Sequence, residues 1–255
     1  MFASPNWGFF CRVEVYDRAV SKRLNMNVRT TIVFISLALV YLATLPLTPY
    51  MAQFLPKALP IGVLAVFAYI KLSAMPRYMV LMALLFSLAG DISLALPFAE
   101  SFITGLSCFF LAHLSYAACF ANLNRHKPKA LSSDIISPNV KWLISLTIVS
   151  FTAVMAGHIL PASGSLFYPV MAYISVITLM GLTAVWSAQT KLIVTGALLF
   201  VISDAILAQS VFKTPLPLST FWVMTTYYAA QYCLTMGLVD AFLRRENRQE
   251  EKGQA

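Results

Sequence analysis

The chain has 255 residues, 59% of them hydrophobic and only 11% charged, with a formal net charge of +8 and a mean hydropathy of +0.76. A soluble globular domain carries about twice that charged fraction, so a water-soluble fold is excluded. The positive balance needs no nucleic-acid partner, because basic loops beside membrane spans and anionic lipid headgroups account for it.

Residues 1–28 are polar and hold no apolar signal-peptide core ahead of Arg29. They read as a cytoplasmic tail, with Met26 as an alternative start that would leave 1–25 untranslated. From 31 to 243, apolar stretches of about twenty residues recur, each long enough to cross a bilayer as a helix. Lipid cannot satisfy backbone polar groups, so each span must be a helix or a strand of a closed barrel. Barrel strands alternate over about ten residues, and these segments do not. The reading is an all-α polytopic membrane protein with eight spans, at 31–48, 58–75, 78–96, 102–122, 141–160, 166–187, 191–212 and 219–243.

The longest linker, "NRHKPKALSSDIISPNVK" (124–141), divides the spans four and four. A cytoplasmic tail, 244–255, follows the membrane domain of 29–243. With the N-terminus inside, sixteen of the eighteen Lys and Arg residues fall on the cytoplasmic side, and only Lys57 and Lys213 on the other. That asymmetry orients the bundle with both termini in the cytoplasm; in a bacterium the location would be the inner membrane. The four cysteines show no CxxC spacing and read as packing residues.

Against this background the buried polar residues stand out. "LLFSLAGDISLAL" (84–96) sets Asp91 in an apolar run, and "GALLFVISDAILA" (196–208) does the same with Asp204. A carboxylate at a helix centre costs about 2.5–3.5 kcal/mol on insertion scales, so each acid must face something polar. Asp91 lies about 21 Å along its helix from Arg77, and Asp204 about 20 Å from Lys191. Two acids on separate helices thus reach nearly the same level, about 10 Å below the outer surface of a core about 30 Å thick.

His113, Tyr116, Tyr228 and Gln231 fall around or below that level on the returning helices, Ser203 adjoins Asp204, and Lys57 enters span two from the outer side. Together they suggest one polar cleft open outward, with both acids meeting in it. Taken singly, each acid could instead tie its helix to a neighbour, and Lys57 could snorkel to the interface. "DISLA" (91–95) and "DAILA" (204–208), followed by "FFLAHLSY" (109–116) and "TYYAAQYC" (226–233), also trace a faint parallel repeat of the two halves. No pair of metal ligands shares a helix at i, i+3 or i, i+4, and neither a GxSxG elbow nor a phosphate-cradling glycine loop is present. No metal and no cofactor are expected.

"PKALP" with Lys57, the two acidic motifs, "GLSCFFLAHLSYAACF" with His113 and Tyr116, and "YYAAQYCL" with Gln231 resemble, in this order, the lysoplasmalogenase (YhhN-like) family. The likeness covers about residues 31–243; the family usually shows Lys-Pro where this chain has Lys57–Ala58. It implies an eight-span enzyme that hydrolyses the vinyl ether bond of lysoplasmalogens to a fatty aldehyde and a glycerophospho-alcohol. It also implies catalytic roles for Asp91 and Asp204, which of them donates the proton being open. A lysophospholipid lying in the bilayer is the expected partner. His113, Tyr116, Tyr228, Ser203 and Gln231 are then expected to contact substrate or water, and Lys57 to meet the phosphate. From the residues alone, a proton-coupled transporter is the alternative, since intramembrane acids and repeated halves suit one as well.

Overall fold

The computed structural model describes residues 28–50, 52–125, 136–187 and 190–253; the alternative start at Met26 and most of the 124–141 linker lie outside them. The described residues form eight long helices and no strand: α1 (Val28–Leu47, ending in a 3-10 turn), α2 (Phe54–Lys71), α3 (Ala74–Ala95), α4 (Ser101–Arg125), α5 (Pro138–Ile159), α6 (Phe167–Ser187), α7 (Lys191–Phe212) and α8 (Ser219–Gly253). The first seven are long and apolar enough to cross a membrane, and the protein is an all-α, multi-pass integral membrane protein. Helix α8 falls short in apolarity because its inward face carries Tyr227, Tyr228, Gln231 and Thr235, all buried among the other helices. Its hydrophobic payload is the smallest, and protein rather than lipid surrounds its polar groups.

Local sequence explains the helix limits. Pro138 opens α5 at a position where its missing N–H has no partner to lose. The Thr190 side chain accepts a bond from the Ile193 amide and caps α7. Helix α8 does not stop at the membrane edge: the expected tail continues it to Gly253. Arg, Glu and Gln are good helix formers, and Arg244 donates to Asp240 one turn back at 2.9 Å.

Outward faces carry exposed Ile32, Leu39, Val66, Leu143, Leu146 and Val154, the inverse of a soluble protein's surface. Inward, Ile61, Leu64, Leu84, Phe120, Phe200, Leu234 and Leu238 are fully buried in one continuous core. Helices α3 and α4 make the most extensive pair, equalled by α7 and α8. The remaining contacts repeat in the same way: α2 packs on α3 and α8, as α6 packs on α7 and α4. This is the arrangement expected of a parallel repeat in which α2, α3 and α4 correspond to α6, α7 and α8.

Candidate active site

The two acids lie in two separate polar clusters, each at the junction of three corresponding helices. Asp91 of α3 is 2% exposed; its Oδ2 accepts a hydrogen bond from the Tyr227 hydroxyl of α8 at 2.6 Å, and its Oδ1 lies 3.7 Å from Lys57 Nζ of α2. Asp204 of α7 has an Oδ2 that accepts from the Tyr173 hydroxyl of α6 at 2.5 Å and lies 3.2 Å from His113 Nε2 of α4. Tyr173 and His113 also meet each other, at 3.0 Å. Helices α2, α3 and α8 thus hold one acid, while α6, α7 and α4 hold the other.

The two carboxylates, expected to meet in one cleft, thus each have their own set of hydrogen-bond and charge partners. A wall of edge-to-face aromatic rings runs between them: Phe109 against Tyr227 at 5.8 Å, Phe200 against Tyr227 at 5.5 Å, and His113 against Phe200 at 4.6 Å. Gly90, next to Asp91, makes room for Phe109; a Cβ there would come within 2.7 Å of the ring. Equal depth along two helices fixes a level in the membrane but not a direction around each helix axis, and here the two acids are directed to different neighbours.

Asp204 reaches open space. It lies on the wall of a narrow cleft between α3, α4, α5, α6 and α7, of about 70 Å³, with Leu94, Leu106, Phe109, Met155, Val170 and Ala208 among its sides. The cleft lies toward the end of the bundle where α5 and α7 finish and α4 and α6 begin. Apart from Asp204, Tyr173 and Thr152, its lining is apolar. The Asp204 side chain is 14% exposed, and no hydrogen bond from the described residues engages its Oδ1.

The proton arrangement follows from hydrogen-bond accounting. His113 is fully buried and its Nδ1 has no partner. A buried N–H without an acceptor is costlier than a bare lone pair, which assigns the hydrogen to Nε2. His113 and Tyr173 then both donate toward Oδ2 of Asp204, leaving Oδ1 to the cleft.

The other expected site residues have protein partners. Tyr116 donates to Gln231 Oε1 at 2.6 Å and Gln231 Nε2 donates to Ser87 at 2.9 Å, a buried tie joining α4, α8 and α3. Tyr228 donates to the Lys57 carbonyl at 2.8 Å, and Ser203 to the Val223 carbonyl at 3.0 Å. Lys57, its side chain 12% exposed, is the counter-ion of Asp91. Tyr173 was not singled out from sequence; it sits in "VMAYISV" with no acidic motif beside it, and only its place on α6 opposite Asp204 reveals it. Among the described residues no three His, Cys, Asp or Glu side chains cluster as metal ligands would.

A family model for YhhN proteins matches residues 52–238. The chain is 34% identical to lysoplasmalogenase TMEM86B of Homo sapiens over 187 residues, 71% of this chain and 73% of that protein. It is 28% identical to lysoplasmalogenase TMEM86A of Bos taurus over 172 residues, 64% of this chain and 65% of that one. The TMEM86B protein of Sus scrofa is 32% identical over 158 residues, 61% of each chain. No solved structure matches.

Proposed function

The chain belongs to the YhhN family, and on that premise we propose that it is a membrane-embedded hydrolase of the vinyl ether bond of lysoplasmalogens, with Asp204 as its acid and base. The relatives named lysoplasmalogenases support the reaction. The observation that carries the assignment of residues is Asp204 on the wall of an apolar cleft, one oxygen held by Tyr173 and His113 and the other free.

A vinyl ether resists bases and nucleophiles, but it hydrolyses once its outer alkene carbon is protonated. With the alkenyl chain in the cleft, Asp204 Oδ1 donates that proton, forming a C–H bond as the C=C bond becomes the C=O⁺ of an oxocarbenium ion. The carboxylate left behind keeps both donors on Oδ2, and its charge stabilises the adjacent cation. Water then adds to the cationic carbon and returns its proton to Oδ1. The hemiacetal collapses to a fatty aldehyde and a glycerophospho-alcohol; one water is consumed and Asp204 regains its proton.

In this reading Asp91 acts through others. Paired with Lys57 and Tyr227 behind the aromatic wall, it positions the α2–α3–α8 junction rather than touching the reacting atoms. The basic ends of the helices lie in the cytoplasm, so the cleft belongs to the opposite leaflet. The test is aldehyde release from a lysoplasmalogen by the purified protein in vesicles. Turnover by the wild type that vanishes in Asp204→Asn, with folding intact, is expected; near-normal turnover in that variant refutes the assignment.

A further inference from the structure

Beyond Asp204, helix α7 continues toward the end of the bundle where the cleft lies. Gln209 stands about 7.5 Å and Lys213 about 13.5 Å past Asp204 at 1.5 Å per residue. Gln209 Oε1 lies 3.1 Å from Nε2 of His158, which bridges α7 to α5, and Gln209 Nε2 donates to the Thr214 carbonyl at 3.4 Å. His158 adjoins Ile159 on the cleft wall. Lys213 directly follows Phe212, another wall residue, which meets Phe102 edge-on at 5.7 Å.

Among the described residues the basic side chains at this end are Lys57, His158 and Lys213. Lys57 is bound to Asp91; His158 and Lys213 are exposed beside the cleft. The single nearby acid, Glu100, is exposed two residues before Phe102, on the α4 side of the aromatic pair.

The dimensions of a lysolipid fit this arrangement. Seven bonds separate the protonated alkene carbon from the phosphorus, about 9 Å when extended with bonds near 1.5 Å. With the alkene carbon at Asp204, the phosphate falls just beyond Gln209 and within reach of a Lys213 side chain folded back toward it. The cleft itself offers a phosphate no cation.

We propose that His158 and Lys213, braced by Gln209, form a rim that holds the phosphodiester of the substrate, a role expected of Lys57 from sequence. Glu100 across the aromatic pair is placed for the ammonium of a zwitterionic headgroup. The proposal rests on the lysoplasmalogen reading of the cleft. It is tested by KM for two substrates of one chain length, 1-alkenyl-lysophosphoethanolamine and phosphate-free 1-alkenylglycerol, with wild type, Lys213→Ala, Lys213→Arg and His158→Gln. The ratio of the two KM values should shift against the phospholipid by about fivefold in Lys213→Ala, the worth of a partly screened ion pair, and recover in Lys213→Arg. High salt should erase the wild-type preference. Binding of a non-hydrolysable 1-O-alkyl-lysophosphoethanolamine, relative to 1-O-alkylglycerol, should weaken in parallel. An unchanged ratio in Lys213→Ala and His158→Gln overturns the rim, as does an equal loss on both substrates that Lys213→Arg does not restore. Absence of aldehyde from both substrates with the wild type overturns the underlying reading, and the rim with it.

Discussion

Phe109 and Tyr227 meet edge to face with their rings perpendicular, and each lies one helical turn before the central polar residue of its helix, His113 in α4 and Gln231 in α8. They are matching positions of the two halves touching each other where the halves meet. Their contact divides the polar interior: on one side Tyr227 binds Asp91, and on the other Phe109 walls the cleft of Asp204. One half thus presents its acid to a cavity, while the other locks its acid against a lysine.

The two acids should respond differently to neutralisation. Asp204→Asn removes the group on the cleft and should lower kcat by about 10²–10⁴, the usual worth of a general acid–base, with little change in thermal stability. Asp91→Asn leaves Lys57 as an unpaired buried charge and should cost about 3–5 kcal/mol of stability. Adding Lys57→Met to Asp91→Asn should restore much of it. Thermal unfolding in detergent beside the aldehyde assay separates the two patterns.

Tyr173→Phe deletes one donor to Oδ2 of Asp204 and leaves the ring in its packing against His113. A hydrogen bond to a charged group is worth about 1.5–3 kcal/mol, so kcat should fall about 10- to 150-fold with KM held. A structural role alone would not alter the Asp204 carboxyl itself. Its infrared carbonyl band, found by difference against Asp204→Asn, should move to higher frequency once the donor is gone.

Much of this architecture is legible in the chain. Lipid leaves a span few options, so hydropathy located all eight helices, seven of them to within four residues at each end, while α8 runs ten residues past its expected end. The intramembrane cost of a carboxylate marks Asp91 and Asp204 as sites with partners. Orientation around each helix was not legible, because these spans are apolar on nearly every face and carry no stripe to set their rotation. The pairing of Lys57 with Asp91 depends on such a rotation and has no sign in the chain. Tyr173 was missed because a tyrosine in an apolar span has no distinguishing neighbours in sequence.

The cleft should set the preference for the hydrocarbon chain. Ala208 lies one turn from Asp204 on the same face and lines the cavity. Ala208→Leu fills the space of about three methyl or methylene groups, each worth about 0.8 kcal/mol when buried. The expected result is a loss in kcat/KM of tenfold or more for long alkenyl chains and a smaller loss for short ones. Equal loss at every chain length would mean that the chain does not enter beside Ala208.

Helix pairing rests on small residues, and the two glycines of greatest contrast are Gly196 and Gly157. A Cβ at Gly196 would lie 2.9 Å from the Leu234 amide nitrogen and 3.0 Å from the Ala230 carbonyl of α8, backbone atoms that cannot swing aside. In lipid, van der Waals contact supplies most of the attraction between helices, so pushing α7 and α8 apart loosens the junction that also carries Asp204 and Tyr227. Gly196→Ala should cost about 1–3 kcal/mol, the usual range for overpacking, and lower activity with it. At Gly157 nothing lies within 4 Å of the added carbon, and alanine is the better helix former by about 1 kcal/mol. Gly157→Ala should leave unfolding unchanged or raise its midpoint, and a comparable loss in both variants would show that the close approach of α7 and α8 is not what holds the halves together.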